Sequence, residues 1–307
     1  MSKKVFKNLD EQIEILRQKG LIVNDEEKAK KILLKENYFF ISGYRHFFMT
    51  EKDKFIVGTT FEELYAMFLF DRKLRNIFFK NLLIVENNIK SIISYSLSKQ
   101  YGFREKDYLN AKNFTNNTIK NRQVNDVLNK VSRQIRINGS QHSATMHYIT
   151  NYGYVPLWIL VKVLSFGLIA EFYDIFKHED KKRIADFYKL DTEVLSTYLH
   201  ILANYRNLCA HEDILYDHKT PKEVSDCKYH EFLNIPKIEN EYIYGKNDLF
   251  AVIIIFKQML SESEFRELIN EVGYEIDLLE GKTEILPINH FINKIGFPNN
   301  WRDIVDL

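Results

Sequence analysis

The residues best suited to chemistry lie close together late in the chain. Arg206, Asn207 and His211 are within six positions, and His200 and Asn204 precede them. An imidazole exchanges a proton near neutral pH, its ordinary pKa being about 6.5. A guanidinium offers a planar fork of donors to an oxyanion. Placed on an ideal helix, Leu195, Tyr198, Leu199, Leu202, Tyr205 and Cys209 fall within an arc of about 120°, an ordinary core stripe. Arg206 falls inside that arc, where a cation is unfavourable unless it is paired or used. His200, Asn204, Asn207 and His211 gather on the other side within about 60°. Arg206 and His211 are therefore about 140° apart. One site takes both only if the helix deforms near its end, Arg206 curls round, or a second chain completes the site. A purely structural alternative fits the same spacing: Arg206 pairs with a core carboxylate such as Glu86, and His211 is an exposed helix-end imidazole favoured by the negative end of the dipole.

The elements that must hold these side chains read as helices. Residues 10–19 form a short one, with Asp10 as the expected N-cap and Gly20 as the stop. A second starts at Asn24 or Asp25. The aromatic run 38–48 is expected as an extended or turn-rich plug on the core. Thr60 and Glu63 make a capping-box pair, and no Gly or Pro follows until Gly102. Leu64, Phe68, Ile77, Phe78, Leu82, Val85, Ile89, Ile92 and Ile93 recur at helical intervals over that stretch, with a bend or break expected near Asp71–Arg75. Residues 104–120 read as an Asn-rich loop, 121–137 as a helix, the segment around Pro156 as a loop giving way to helix, and 169–177, 191–216, 248–260 and 262–272 as further helices. The tail 281–307 is expected to be loop-rich and packed back on the body.

Composition points the same way. Of 307 residues only 11 are Gly and 5 are Pro, where average usage would give roughly 37 together. Sandwiches, barrels and doubly wound sheets need more turns than that. With 45% hydrophobic and 14% aromatic residues, extensive disorder is excluded. An all-α protein remains. The balance of 43 basic and 42 acidic residues announces no nucleic-acid partner, although a local basic patch would suffice for one. Cys209 and Cys227 cannot build a disulfide framework or a four-thiolate metal site. The N-terminus has no apolar stretch of the signal-peptide kind. The longest apolar run, residues 249–256, is too short to span a membrane. The expectation is a soluble cytoplasmic protein.

Arg206-Asn207-Leu208-Cys209-Ala210-His211 resembles the R-[N/D/H]-x-x-x-H signature of HEPN-domain ribonucleases. Further segments resemble the Abi (abortive infection) family of AbiD/AbiF type within that superfamily: the opening with Gln12-Ile13, Leu16 and Gly20-Leu21-Ile22; Asn37-Tyr38 with Ile41-Ser42-Gly43-Tyr44-Arg45; Phe70-Asp71-Arg72-Lys73-Leu74-Arg75; Val85-Glu86-Asn87-Asn88-Ile89-Lys90; Tyr101-Gly102; Trp158 with Leu164-Ser165-Phe166-Gly167; and Gly296-Phe297-Pro298 with Trp301. The resemblance covers roughly residues 10–216, with weaker echoes to the end. It implies a HEPN-like helical bundle and an antiviral endoribonuclease that needs no metal and no other cofactor. It also implies a composite active site in a homodimer, which would answer the geometric limit above. In such an enzyme the RNA 2′-hydroxyl attacks its own adjacent phosphate. His211 would act as general acid or base, Arg206 would hold the phosphoryl oxygens, and Asn207 would orient the imidazole or the phosphate. Two departures stand out. Some HEPN toxins carry a tyrosine two residues after the histidine, where this chain has Asp213, and Glu212-Asp213 bring negative charge towards a phosphate site.

The expected organisation is an N-terminal helical and aromatic segment (1–58) packed on a HEPN-like core (59–220), followed by a helical C-terminal extension (221–307). Glu86, His200 and Asn204 are expected to support the catalytic set. Lys120, Arg122, Lys130, Arg133 and Arg136 form the expected RNA-facing surface, extended by Arg72 and Arg75. RNA, as substrate or as a bound structured molecule, is the expected partner, with no membrane, metal site or small-molecule cofactor. The alternative function is a non-catalytic binder of a structured RNA or partner protein in a phage-defence or toxin–antitoxin system.

Overall fold

The computed structural model describes residues 5–50, 52–115 and 121–307. Lys120 lies outside them. The fold is all-α, and its one sheet among the described residues is a hairpin pairing Lys237–Ile238 with Glu241–Tyr242. The chain opens with α1 (Leu9–Gln18) and α2 (Glu26–Glu36), which pack on each other. Asn8, rather than Asp10, caps α1 by accepting the Glu11 N–H. Residues 38–48 are not extended. They form the short helix α3 (Tyr38–Ser42) and a 3-10 turn, Gly43–Phe47. The Asn37 side chain caps that helix from a left-handed backbone, φ 66°.

The spine is α4 (Phe61–Tyr101), about 60 Å long. The Thr60–Glu63 capping box starts it and Gly102, at φ 102°, ends it. The break expected near Asp71–Arg75 does not occur. Those two residues are an i,i+4 ion pair that staples the turn across the expected break. Buried residues fall on more than one face of α4 because α11 and α14 both pack along it.

Beyond the spine come α5 (Glu105–Tyr108), α6 (Asn121–Asn138), α7 (Ser143–Tyr152), α8 (Leu157–Leu160), α9 (Phe166–Asp174), α10 (His178–Ala185) and α11 (Thr192–Ala210). The loop expected before Pro156 thus contains a helix, α7. The His142 side chain caps it by accepting the Thr145 N–H, and Gly153 closes it in the left-handed region at φ 75°. The C-terminal part holds α12 (Lys228–Phe232), α13 (Leu249–Met259), α14 (Glu262–Glu280) and α15 (Ile288–Lys294). The apolar run 249–256 is fully buried in α13. Helix α14 runs eight residues past its expected end. Gly273 inside it leaves room for Arg302, whose guanidinium donates to the Gly273 carbonyl at 3.2 Å. The tail packs back on the N-terminal turn: the Phe291 ring lies tilted against Phe47 and Phe48, and Lys294 donates to the His46 carbonyl at 2.6 Å.

Candidate active site on the motif helix

Helix α11 starts at its N-cap Asp191 and ends at Ala210, short of the expected 216, because the chain reverses at Glu212. His211 is the cap residue, and its N–H bonds the Asn207 carbonyl at 3.1 Å. Glu212 then takes a left-handed backbone, φ 56°. Its N–H reaches the Cys209 carbonyl at 3.4 Å, and the Asp213 N–H reaches the Leu208 carbonyl at 3.2 Å. This crossed pair is a Schellman reversal. The motif thus ends its helix with a sharp turn, leaving His211 at the exposed corner.

The chain after the corner is tied to α4. Leu215 N–H donates to Asp71 Oδ2 at 3.2 Å, and Tyr44 Oη–H donates to the same oxygen at 2.7 Å. Arg75 Nη1 pairs with Asp71 and donates to the Tyr44 hydroxyl at 3.1 Å and to the Asp213 carbonyl at 3.3 Å. Asp71 is fully buried, and its Oδ1 has no hydrogen-bond partner among the described residues. Burial pushes this carboxyl up to about 6 against the pull of Arg75 and Tyr44.

Arg206 faces α4. Its Nε donates to Glu86 Oε2 at 3.1 Å, and its guanidinium lies over the Phe79 ring at 5.8 Å. The other Glu86 oxygen accepts Lys90 Nζ at 2.6 Å. One buried carboxylate therefore bridges two cations, a cluster with net positive charge. The Arg206 side chain is 29% exposed, and its two terminal nitrogens make no hydrogen bond among the described residues. Orientation through Nε leaves the Nη pair as unused donors on a side chain that solvent still reaches, which suits an oxyanion.

The remaining predicted residues lie elsewhere on α11. Asn207 and His211 share the exposed face, away from Arg206. His200 is about 16 Å back along the helix from His211 and is bound through Nε2 to Asp174 Oδ2 at 2.7 Å. Burial raises the Asp174 carboxyl, but hydrogen bonds from His200 and from Ser196 (2.6 Å) outweigh it and hold the group below its ordinary value. Asn204 Oδ1 meets His218 Nε2. His200, Asn204, Thr220, Pro221 and Lys222 line a cavity of about 260 Å³. The structure joins Arg206 to Glu86 and does not bring His200 or Asn204 to them. Lys90, Asp71 and Tyr44 were missed, although Glu86/Lys90 and Asp71/Arg75 carry the i,i+4 signal of helical ion pairs.

The expected RNA-facing set needs correction. Arg75 is buried at 3% exposure inside the Asp71 cluster and cannot reach a ligand surface. Arg72 stacks on Phe68 at 4.6 Å and forks onto Glu36 through two hydrogen bonds, at 3.2 and 2.6 Å. Lys130 is held between Asp126 and Glu171, each at 2.9 Å. Arg122, Arg133 and Arg136 remain exposed on α6. The two histidines at 142 and 147 serve α7: His142 caps it and His147 Nδ1 meets Asn151 at 3.0 Å.

A family model described as Abi-like protein matches residues 31–217. The chain belongs to the Abi-like protein family. No curated protein and no solved structure matches it. Membership supports a part in abortive-infection phage defence for this Abi-like protein. The matched span encloses both clusters, Tyr44–Asp71–Arg75 and Glu86–Lys90–Arg206, together with His211. Segments far apart in the Abi-like chain therefore meet on one helix end. Among the described residues no helix is long and apolar enough to cross a membrane, and no group of three His, Cys, Asp or Glu side chains is placed to hold a metal ion.

Proposed function

We propose that this Abi-like protein is a HEPN-type endoribonuclease of abortive-infection defence, cleaving RNA without a metal in a site shared by two copies of the chain. The observation that carries the reading is Arg206, locked through Nε by a buried carboxylate while its Nη edge stays open, five residues before an exposed, rigidly cornered His211. In the reaction the RNA 2′-oxygen bonds to its own phosphorus and the bond to the 5′-oxygen breaks. A 2′,3′-cyclic phosphate and a 5′-hydroxyl end result. His211 accepts the 2′-proton or gives a proton to the leaving 5′-oxygen, with water serving the other transfer. Arg206 meets the charge growing on the non-bridging oxygens, and Asn207 steadies the phosphate or the ring. Arg206 and His211 project about 140° apart, so a site that uses both takes the second contribution from a partner copy, and a cytoplasmic homodimer is the working form.

Expression of wild type, His211→Ala and Arg206→Ala in a bacterial host, with sequencing of RNA ends, tests this. New 5′-hydroxyl ends are expected with wild type only, and purified His211→Ala should cleave roughly 10²–10⁴-fold more slowly. Undiminished cleavage by His211→Ala would remove His211 from the chemistry, and a wild type that cleaves nothing would leave the chain as a non-catalytic binder in which Arg206–Glu86 is a structural ion pair.

A further inference from the structure

A run of aromatic rings on a different part of the surface remains unused by this site. From α7 across Phe103 to α8, ring centroids follow one another at 5.3 Å (Tyr148–Tyr152), 6.3 Å (Tyr152–Tyr154), 5.6 Å (Tyr154–Phe103) and 6.1 Å (Phe103–Trp158). Core aromatics pack in this way too, but these rings are open to solvent: Tyr152 is 57% and Trp158 44% exposed. The Arg104 guanidinium lies over two of them, 5.3 Å from Tyr154 and 5.9 Å from Phe103.

The charge around the rings is one-sided. From residue 127 to residue 170 the chain contains no Asp or Glu, although 42 acids in 307 residues would place about six in a stretch of that length. The same stretch carries Lys130, Arg133, Arg136 and Lys162. Arg133 and Arg136 are exposed near the end of α6. That end adjoins the rings, because the Ile149 side chain of α7 reaches Gly139. The two carboxylates on the neighbouring α5 are half-buried and engaged: Glu105 accepts the Val155 N–H, and Asp107 lies against Gly102. Flat, sequence-tolerant ring faces beside cations and without acids match the bases and backbone of a single-stranded nucleic acid. A protein partner would not require the exclusion of acids.

We infer that Phe103, Tyr152, Tyr154 and Trp158, with Arg104, Arg133 and Arg136, form a stacking platform for single-stranded RNA, separate from the motif helix. The choice of RNA rests on the ribonuclease reading, which this platform would serve by holding unpaired substrate. Along α4 the rings at Phe103 lie about 25 Å from Glu86, so the platform acts on binding rather than on the chemical step.

The test uses full-length His211→Ala protein, to prevent cleavage, and fluorescence anisotropy with a labelled twelve-nucleotide oligouridylate. Tyr152→Ala combined with Trp158→Ala should weaken binding by about tenfold or more, whereas Tyr152→Phe combined with Trp158→Phe should retain it. An abasic strand of equal length should bind weakly and ignore the aromatic substitutions. Arg133→Glu with Arg136→Glu should weaken both probes and reduce the salt slope by about two. An unchanged Kd in the alanine pair, with unaltered circular dichroism, overturns the platform. So does a shift from dimer to monomer in sedimentation without loss of oligonucleotide binding, which would mark the rings as an interface between copies. Ring-dependent binding by a wild type that cleaves nothing would remove the ribonuclease reading and leave the platform standing. Cleavage with ring-independent binding would do the reverse.

Discussion

Glu86→Gln is the perturbation that the site geometry predicts most sharply. Glu86 holds Lys90 with one oxygen and Arg206 with the other. The carboxylate and Lys90 are buried, with side-chain exposures of 5% and 9%, whereas Arg206 keeps 29%. Neutralising the carboxylate leaves Lys90 as a buried charge with no counter-charge, and breaking a buried pair from one side typically costs about 3–5 kcal/mol. Unfolding entropy of roughly 2.1 cal/mol/K per residue over 307 residues gives about 0.6 kcal/mol/K. A loss of ~3 kcal/mol therefore lowers Tm by about 5 °C. Arg206 adds little to this loss because water reaches it. Adding Lys90→Met removes the stranded ammonium, and the double variant should regain most of the lost Tm, as buried pairs replaced by apolar groups often do. RNA cleavage should stay low in both variants, because Arg206 has lost the carboxylate that orients it. Thermal unfolding followed by circular dichroism, with a cleavage assay alongside, reads both effects. A single variant melting within about 1 °C of wild type would refute the argument about the buried charge. A double variant melting as low as the single one would show that Lys90 is not the group left stranded.

Other expectations follow from the same structure. Burial raises Asp248 to about 6, so between about pH 4 and pH 6 the folded protein holds a proton there that the unfolded chain releases. Stability then falls as pH rises through that window, and Asp248→Asn should flatten this part of a urea-denaturation pH profile, leaving the same-signed contribution of Asp71. Mixing equal amounts of Arg206→Ala and His211→Ala protein, with subunit exchange, should restore about a quarter of wild-type cleavage if each site takes Arg206 from one chain and His211 from the other. Half of the dimers would be mixed, and each would have one intact site of two. No recovery would mean that each chain builds its own site. Glu212→Gly should leave Tm equal or slightly raised, since glycine adopts φ 56° without the strain of a side chain. A clear fall in Tm would show that the Glu212 side chain helps to hold the corner.

Periodicity and caps made much of the frame legible. The Thr60–Glu63 box, the Gly102 stop and the Ser261–Glu264 box mark ends that the structure keeps, because capping is local. Helix α7 was missed because its cap is a histidine, an unusual acceptor at that position. The aromatic run 38–48 read as a plug because its helix starts from a left-handed asparagine. Arg206 was recognisable as out of place on an apolar stripe. Arg75 read as part of an RNA-facing surface because nothing local shows that Tyr44 and Leu215 close over its partner Asp71 from 27 and 144 residues away. The fold expectation rested on local patterns, whereas the site depends on which distant segments return to α4.

Those returns set a schedule for synthesis. Glu63 accepts the N–H groups of Glu284 and Ile285, the latter 222 residues later in the chain; Asp71 waits 144 residues for Leu215, and Glu86 waits 120 for Arg206. At 5–20 residues per second, the last of these contacts forms roughly 10–45 s after the start of α4 is made. Throughout that interval the face of the longest helix that α14 will cover is open to chaperones and to other nascent chains alike. Motif geometry fixed by late arrivals also keeps the half-made chain from assembling its own corner at His211. The nascent protein is therefore exposed to aggregation well before it is equipped to act on anything.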